Sequence, residues 1–344
     1  MSKDNFDLVR LLLAFGILLV HAAGITDTQE LNFIFNYLTG DTLVKCFFVI
    51  SGYLVTKSYY RDSGVNFFIK RALRVFPAYL FVVFAAVCMG AIITSYSLGE
   101  FFSNKSTLRY ILFNTISLNF LADSLPGVFV HNPLRSVDGS LWTIKSEIIL
   151  YSSMPFYHFL FKRVGFTTFF IIFLGAFGWV YYFLYVHHTP SRVLAMQFVG
   201  LALYYYGGVL FASLKNEKKA ISFTFLYSLG LHWLISFPLA RFLIEPALVV
   251  SGILFICLAL PCIANLQKIG DLSYGIYLYN FPVIQVICNY GFFKTSPYTA
   301  LLLSTIFTIG MALFSWNIIE KKSLSLKTRL TIPKDTFWKK QQSI

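Results

Sequence analysis

Arg10 and His21 stand within an apolar run near the start of the chain, where an ionisable group costs about 2.5–3.5 kcal/mol on insertion scales. In a helix their spacing brings them within about 20° of one face and about 16 Å apart along the axis. Asp7, one turn before Arg10, can pair with its guanidinium. Alone, Arg10 would read as an anchor snorkelling to the membrane boundary, and His21 as an interfacial side chain. Their common face points instead to chemistry. An imidazole at the far end of such a helix can take a proton from an attacking hydroxyl.

Three further groups carry polar chemistry in apolar surroundings. Glu147 follows Ser140-Leu141-Trp142-Thr143 and is expected at the depth of His21, where a carboxylate could orient or charge the imidazole. Pairing with a basic side chain for insertion alone explains it equally well. Arg71 and Arg74 share a helix face, and guanidinium forks suit phosphate, although cytoplasmic boundaries collect such residues anyway. In Phe47-Phe48-Val49-Ile50-Ser51-Gly52-Tyr53-Leu54, Ser51 and Gly52 are small enough to let two helices approach closely. His131, His158, His187, His188 and His232 read as loop or interfacial residues, with no metal-type spacing. No phosphate-binding loop for ATP is present.

The elements that must position these residues are membrane helices. Of 344 residues 57% are hydrophobic and 12% charged, with 38 Phe and 21 Tyr, and the mean hydropathy is +0.68. Soluble domains average about 25% charged residues, so a soluble enzyme, a disordered chain and a disulfide-stapled secreted domain are excluded. The fold class expected is an all-α polytopic membrane protein. About ten transmembrane helices are predicted, at 8–25, 41–58, 75–96, 142–161, 166–186, 193–214, 221–237, 244–266, 272–292 and 299–318.

With both termini cytoplasmic, twenty of the 28 Lys and Arg fall on the cytoplasmic side, as the positive-inside rule requires. The first span resembles a signal peptide in its Ala22-Ala23-Gly24, but Asp4, Asp7 and the terminal His21 argue for its retention. The expected division is a transmembrane domain over 1–320 and a basic cytoplasmic tail over 321–344. The tail reads as solvated or resting on anionic lipid, with no nucleic-acid role. The long outer segment 97–141 includes 108–122, placed at the interface or re-entering the membrane. All five cysteines lie in apolar stretches and read as small buried hydrophobes.

The ordered set of motifs resembles the membrane acyltransferase-3 family, integral-membrane O-acyltransferases of surface glycans, over most of the chain. The resemblance runs through Asp7-Leu8-Val9-Arg10 with His21, Phe47 to Leu54, and Arg71-Ala72-Leu73-Arg74-Val75-Phe76-Pro77. It continues through Ser140-Leu141-Trp142-Thr143 with Glu147 and Tyr151, Leu272-Ser273-Tyr274-Gly275-Ile276-Tyr277-Leu278, and Glu320-Lys321. Many members carry a His before Phe-Pro in the late motif, where this chain has Asn280.

The resemblance implies an O-acyltransferase of the bacterial inner membrane that moves an acyl group, acetyl by family precedent, from cytoplasmic acyl-CoA to a sugar hydroxyl. The acceptor it implies is a surface polysaccharide (O-antigen, capsule or exopolysaccharide) or a lipid-linked glycan. His21 would be the base or a transient acyl carrier, with Glu147 and Arg10 as catalytic partners. Arg71, Arg74 and Arg10 would hold the CoA, and Ser140, Trp142 and Ser51 the acceptor. No metal is implied. With no appended hydrolase-like domain, the membrane domain or a partner would engage the glycan. Two other classes stay open on the residues alone: a proton-coupled secondary transporter, and a scaffold of a glycan-assembly complex.

Overall fold

A computed structural model describes residues 4–62, 64–182, 198–235, 238–264, 266 and 270–330. Residues 183–197, with His187, His188 and Arg192, and residues 331–344 lie outside them. Among the described residues every regular element is helical, and each of the ten apolar segments contains a helix. Three helices among the described residues are long and apolar enough to cross a membrane: Phe6–Thr26, Gly64–Ile93 and Pro297–Ser325. The bent pair Gln29–Asn36 and Gly40–Arg61 makes a fourth if counted as one span.

The chain divides into two compact units. The first consists of Met1–Leu13, Asp41–Gly64 and Ser146–Leu266. It holds the start of α1 (Phe6–Thr26), α2 (Gly40–Arg61), most of α6 (Trp142–Val164), α7 (Thr167–Tyr181), α8 (Phe198–Ala212), α9 (Glu217–Leu234) and α10 (Pro238–Leu258). Helix α2 meets α8 where neither has room for a side chain. A Cβ on Gly52 would lie 1.9 Å from the Tyr205 carbonyl oxygen, and one on Gly208 would lie 2.1 Å from that of Val49. The small pair Ser51-Gly52 therefore sits at a close helix crossing, as its residue types predict. Lys45, 5% exposed, is held beside this crossing by Asp41 at 2.7 Å and Glu245 at 2.8 Å.

The second unit consists of Ala14–Gly40, Val65–Lys145 and Gln267–Ile344. It holds the rest of α1, nearly all of α3 (Gly64–Ile93), the short α4 (Leu98–Ser103) and α5 (Lys105–Thr115), α11 (Leu272–Asn289), α12 (Phe292–Thr295) and α13 (Pro297–Ser315). Helix α3 starts well before the expected apolar boundary. Its 30 residues rise about 45 Å, more than a hydrocarbon core of about 30 Å, so the basic turn with Arg71 and Arg74 extends the span.

Ser97 and Glu100 cap α4 reciprocally, and the Asn104 side chain caps α5. At 11 residues, α5 rises about 16 Å and is too short to cross. Leu108, Leu112 and Ile116 form an exposed stripe at helical spacing, which fits the interfacial alternative for this segment. The core of the unit joins Leu18, Ala22 and Ile25 of α1 to Phe281, Ile284 and Ile287 of α11, with Ala300 of α13.

Of the five cysteines, all free, only Cys257 and Cys288 are buried; Cys88 and Cys262 are exposed and Cys46 is intermediate. The expectation of five buried cysteines is corrected here, because apolar neighbours in the sequence of a membrane helix mark lipid-facing positions as readily as core ones.

Candidate active site

Helix α11 organises the site around His21. The His21 Nδ1 lies 2.6 Å from Asn280 Oδ1. Asn280 is fully buried, and its amide nitrogen donates to the carbonyls of Ile276 at 2.9 Å and Tyr277 at 2.7 Å. Those two bonds fix which end of the amide is oxygen. The oxygen accepts, so the ring proton sits on Nδ1 and the lone pair on Nε2. A neutral imidazole in that tautomer can accept a proton at Nε2. The Phe281 ring meets the imidazole edge to face at 5.3 Å, which fixes the plane of the ring.

The same helix also grips the chain entering α6. Gly139 lies so close to Phe281 that an added Cβ would come within 2.6 Å of the ring. The Tyr277 hydroxyl donates to the Ser140 carbonyl at 3.0 Å and lies 2.6 Å from the Thr143 hydroxyl. Gln285, fully buried, donates to the carbonyls of Leu134 at 2.8 Å and Ser136 at 2.6 Å and accepts from Asn132 at 2.7 Å. Positions 277, 280, 281 and 285 thus tie His21, the turn Gly139–Leu141 and the outer loop before it to one helix. Trp142 opens α6 directly after that turn.

At the N-terminal end of α11 the partners are charged. Arg74 bonds Asp271 through Nη2 at 2.5 Å and Glu320 through Nη1 at 3.0 Å. Its guanidinium lies over the rings of Tyr274 and Trp316. Glu320 is 2% exposed and also accepts from Ser315 at 3.1 Å. It ends the π turn Trp316–Glu320 into which the chain after α13 widens. Gly270 has φ +87° and no room for a Cβ against Trp316, so only glycine fits at that position. Arg71 lies one turn earlier on α3, partly buried.

The remaining site residues belong to the first unit. Ser51 donates to the Tyr151 hydroxyl at 3.1 Å, and that hydroxyl donates to Glu147. Arg10 is partly buried in the first turns of α1. The structure thus brings together His21 and Ser140 through α11, and Ser51 and Glu147 through Tyr151. The sequence offers Glu147 as a group that could orient or charge His21; in the structure Asn280 accepts from His21 Nδ1. A buried amide within an apolar run was the signal for it. Asp138, which accepts from Ser140, is not among the residues the sequence singles out. Among the described residues no group of three or more His, Cys, Asp or Glu side chains is placed to hold a metal ion.

An imidazole oriented beside a polar turn has the chemistry of a protein that moves a group onto a hydroxyl. Residues 3–320 match the family model described as an acyltransferase domain, and the chain belongs to this acyltransferase family. It is 27% identical to Nodulation protein 10 of Rhizobium leguminosarum bv. viciae, over 95% of each chain. It is 28% identical to an O-acetyl transferase of Shigella phage Sf6, over 94% of this chain and 97% of that one. No solved structure matches it.

Proposed function

We propose that this chain is an O-acetyltransferase that passes acetyl from cytoplasmic acetyl-CoA to a hydroxyl of a surface polysaccharide or lipid-linked glycan at the bacterial inner membrane. The observation that carries the reading is the His21–Asn280 pair. With Nδ1–H held by an amide oxygen, Nε2 is the base. It removes the proton of the sugar hydroxyl as that oxygen attacks the thioester carbonyl. The tetrahedral adduct collapses, the carbon–sulfur bond breaks, and the CoA thiolate takes the proton back from the imidazolium. Asn280 is neutral and holds the ring in the tautomer that direct base catalysis uses.

The similarity to an O-acetyl transferase supports acetyl as the group. In this reading about ten helices span the membrane with both termini in the cytoplasm, which places Arg71 and Arg74 on the donor side and Ser140 and Trp142 on the acceptor side. Arg71 contacts the CoA phosphates, and Arg74, engaged by two carboxylates, positions the turn that carries it. Arg10 lines the donor path. Trp142 offers a stacking face to a sugar, while Ser51 and Glu147 act together through Tyr151.

The test is the ester content of surface polysaccharide, by proton NMR, in cells expressing wild type or His21→Ala at equal membrane levels. Loss of a general base lowers rate by about 10²–10⁴, so ester is expected with wild type and absent with the variant. Equal ester from both removes His21 from the chemistry.

A further inference from the structure

Asp138 is 4% exposed. Its Oδ1 accepts from the Ser140 amide at 3.0 Å and the Ser140 hydroxyl at 2.6 Å. Its Oδ2 is sealed from solvent and has no hydrogen-bond partner, and no cation among the described residues pairs with it. The titratable groups close enough to interact with it are Tyr79 on α3, Tyr110 on α5 and Tyr279 on α11. Asp123, an exposed carboxylate of the same loop, interacts with Tyr110 in turn. None of these neighbours carries positive charge, and a charged carboxylate with one orphaned oxygen is costly in such a place. Burial pushes the Asp138 carboxyl up to about 7, against the pull of the two Ser140 bonds.

The chain next to Asp138 touches the His21 site directly. Gly139 abuts Phe281, which packs on the imidazole, and the Ser140 carbonyl takes the Tyr277 hydroxyl. We propose that Asp138 is a positioning residue: in its uncharged form it seats the turn Gly139–Leu141 against Phe281, and acyl transfer therefore falls as the surrounding medium turns alkaline. This rests on the acyltransferase reading above for its activity readout alone. The sign follows from linkage. The closed carboxyl is raised above its ordinary value of 3.8, so its contribution to the closed turn is whole below about pH 4. That contribution is lost as pH rises, with opening favoured by up to about tenfold per unit, and it is gone above about pH 7.

The experiment pairs two readouts on the full-length protein in membranes. Hydrogen exchange of residues 132–142, corrected for intrinsic rates, is followed at pH 5 and pH 8, and polysaccharide ester content is measured in cells held at external pH 6 and 8.5. In wild type, protection of this segment and ester content should both fall at the higher pH. Asp138→Asn keeps the shape and both Ser140 bonds without the charge. It should remain protected at both pH values, keep transfer within about twofold at pH 6, and lose the alkaline decline. Asp138→Ala, which lacks the Ser140 bonds, should be loose at both pH values. Exchange in wild type that ignores pH overturns the proposal, as does an Asn variant that keeps the alkaline decline or is as inactive as Ala at both. If wild type makes no ester at all, the acyltransferase reading fails, and the exchange data still decide whether Asp138 seats the turn.

Discussion

One helix, α11, builds two polar clusters by opposite means. Near its N-terminus Asp271 and Glu320 close on Arg74 with full charges. Two turns on, Asn280 and Tyr277 hold His21 and the Ser140 turn with neutral groups. Charges give strong, directional bonds, and they also fix the protonation of whatever they touch. A neutral amide orients a ring while leaving its second nitrogen free to gain and lose a proton. On the proposed function the charged end is a structural joint and the neutral end the place where chemistry occurs, although the sequence presents its arginines as the more obvious ligands.

The largest effect that would break this comparison is at the joint. Arg74→Gln strands Glu320, which is 2% exposed, and removing one partner of a buried pair costs about 3–5 kcal/mol. Thermal unfolding of the purified protein in detergent should show a large drop in midpoint. Glu320→Gln removes the buried charge itself and should cost less. Arg71→Gln should leave the midpoint near wild type while raising the KM for acetyl-CoA. If Arg74→Gln instead shifted KM alone with no loss of stability, Arg74 would be a donor ligand and not part of a joint.

At the neutral end the expected effect is smaller in stability and larger in rate. Asn280→Ala frees the imidazole to adopt the other tautomer, and activity should lose part of the about 10²–10⁴-fold that a positioned general base supplies. The His that many family members carry at this position offers a ring nitrogen as acceptor. Asn280→His should therefore retain more transfer than Asn280→Ala at equal expression, read as ester formed per unit of membrane protein. An Ala variant as active as wild type would show that the Nδ1 bond does not set the base.

Much of this arrangement is legible in the sequence. Composition and apolar periodicity announce the helices, and the segment at 272–289 could be placed within a few residues. The close crossing at Gly52 follows from residue size. His21 stands out because an imidazole in an apolar run calls for a reason. Its partner does not, since Asn280 lies 259 positions away and a long-range hydrogen bond leaves no local pattern. The carboxylate partners of Arg74 are hidden for the same reason. An Arg-x-x-Arg pair looks alike whether its charge meets a phosphate or two distant carboxylates, and only the fold brings Asp271 and Glu320 to it.

The smallest predicted effect tests whether the neutral end is held by redundancy. The Tyr277 hydroxyl donates to the Ser140 carbonyl at 3.0 Å, but the Thr143 hydroxyl also reaches that oxygen, at 3.2 Å. Tyr277→Phe deletes one donor and leaves the acceptor satisfied, so the loss should stay near a single net hydrogen bond, about 0.5–1.5 kcal/mol. Transfer should fall only slightly. The double variant Tyr277→Phe/Thr143→Val strands a buried carbonyl and should lose more than the sum of its parts, because neither single change exposes that penalty. A double-mutant cycle on the unfolding midpoint measures the excess. Strict additivity would mean that the two hydroxyls act separately, and that the turn beside His21 is held by the contact of Gly139 with Phe281 and by the Asp138 carboxyl.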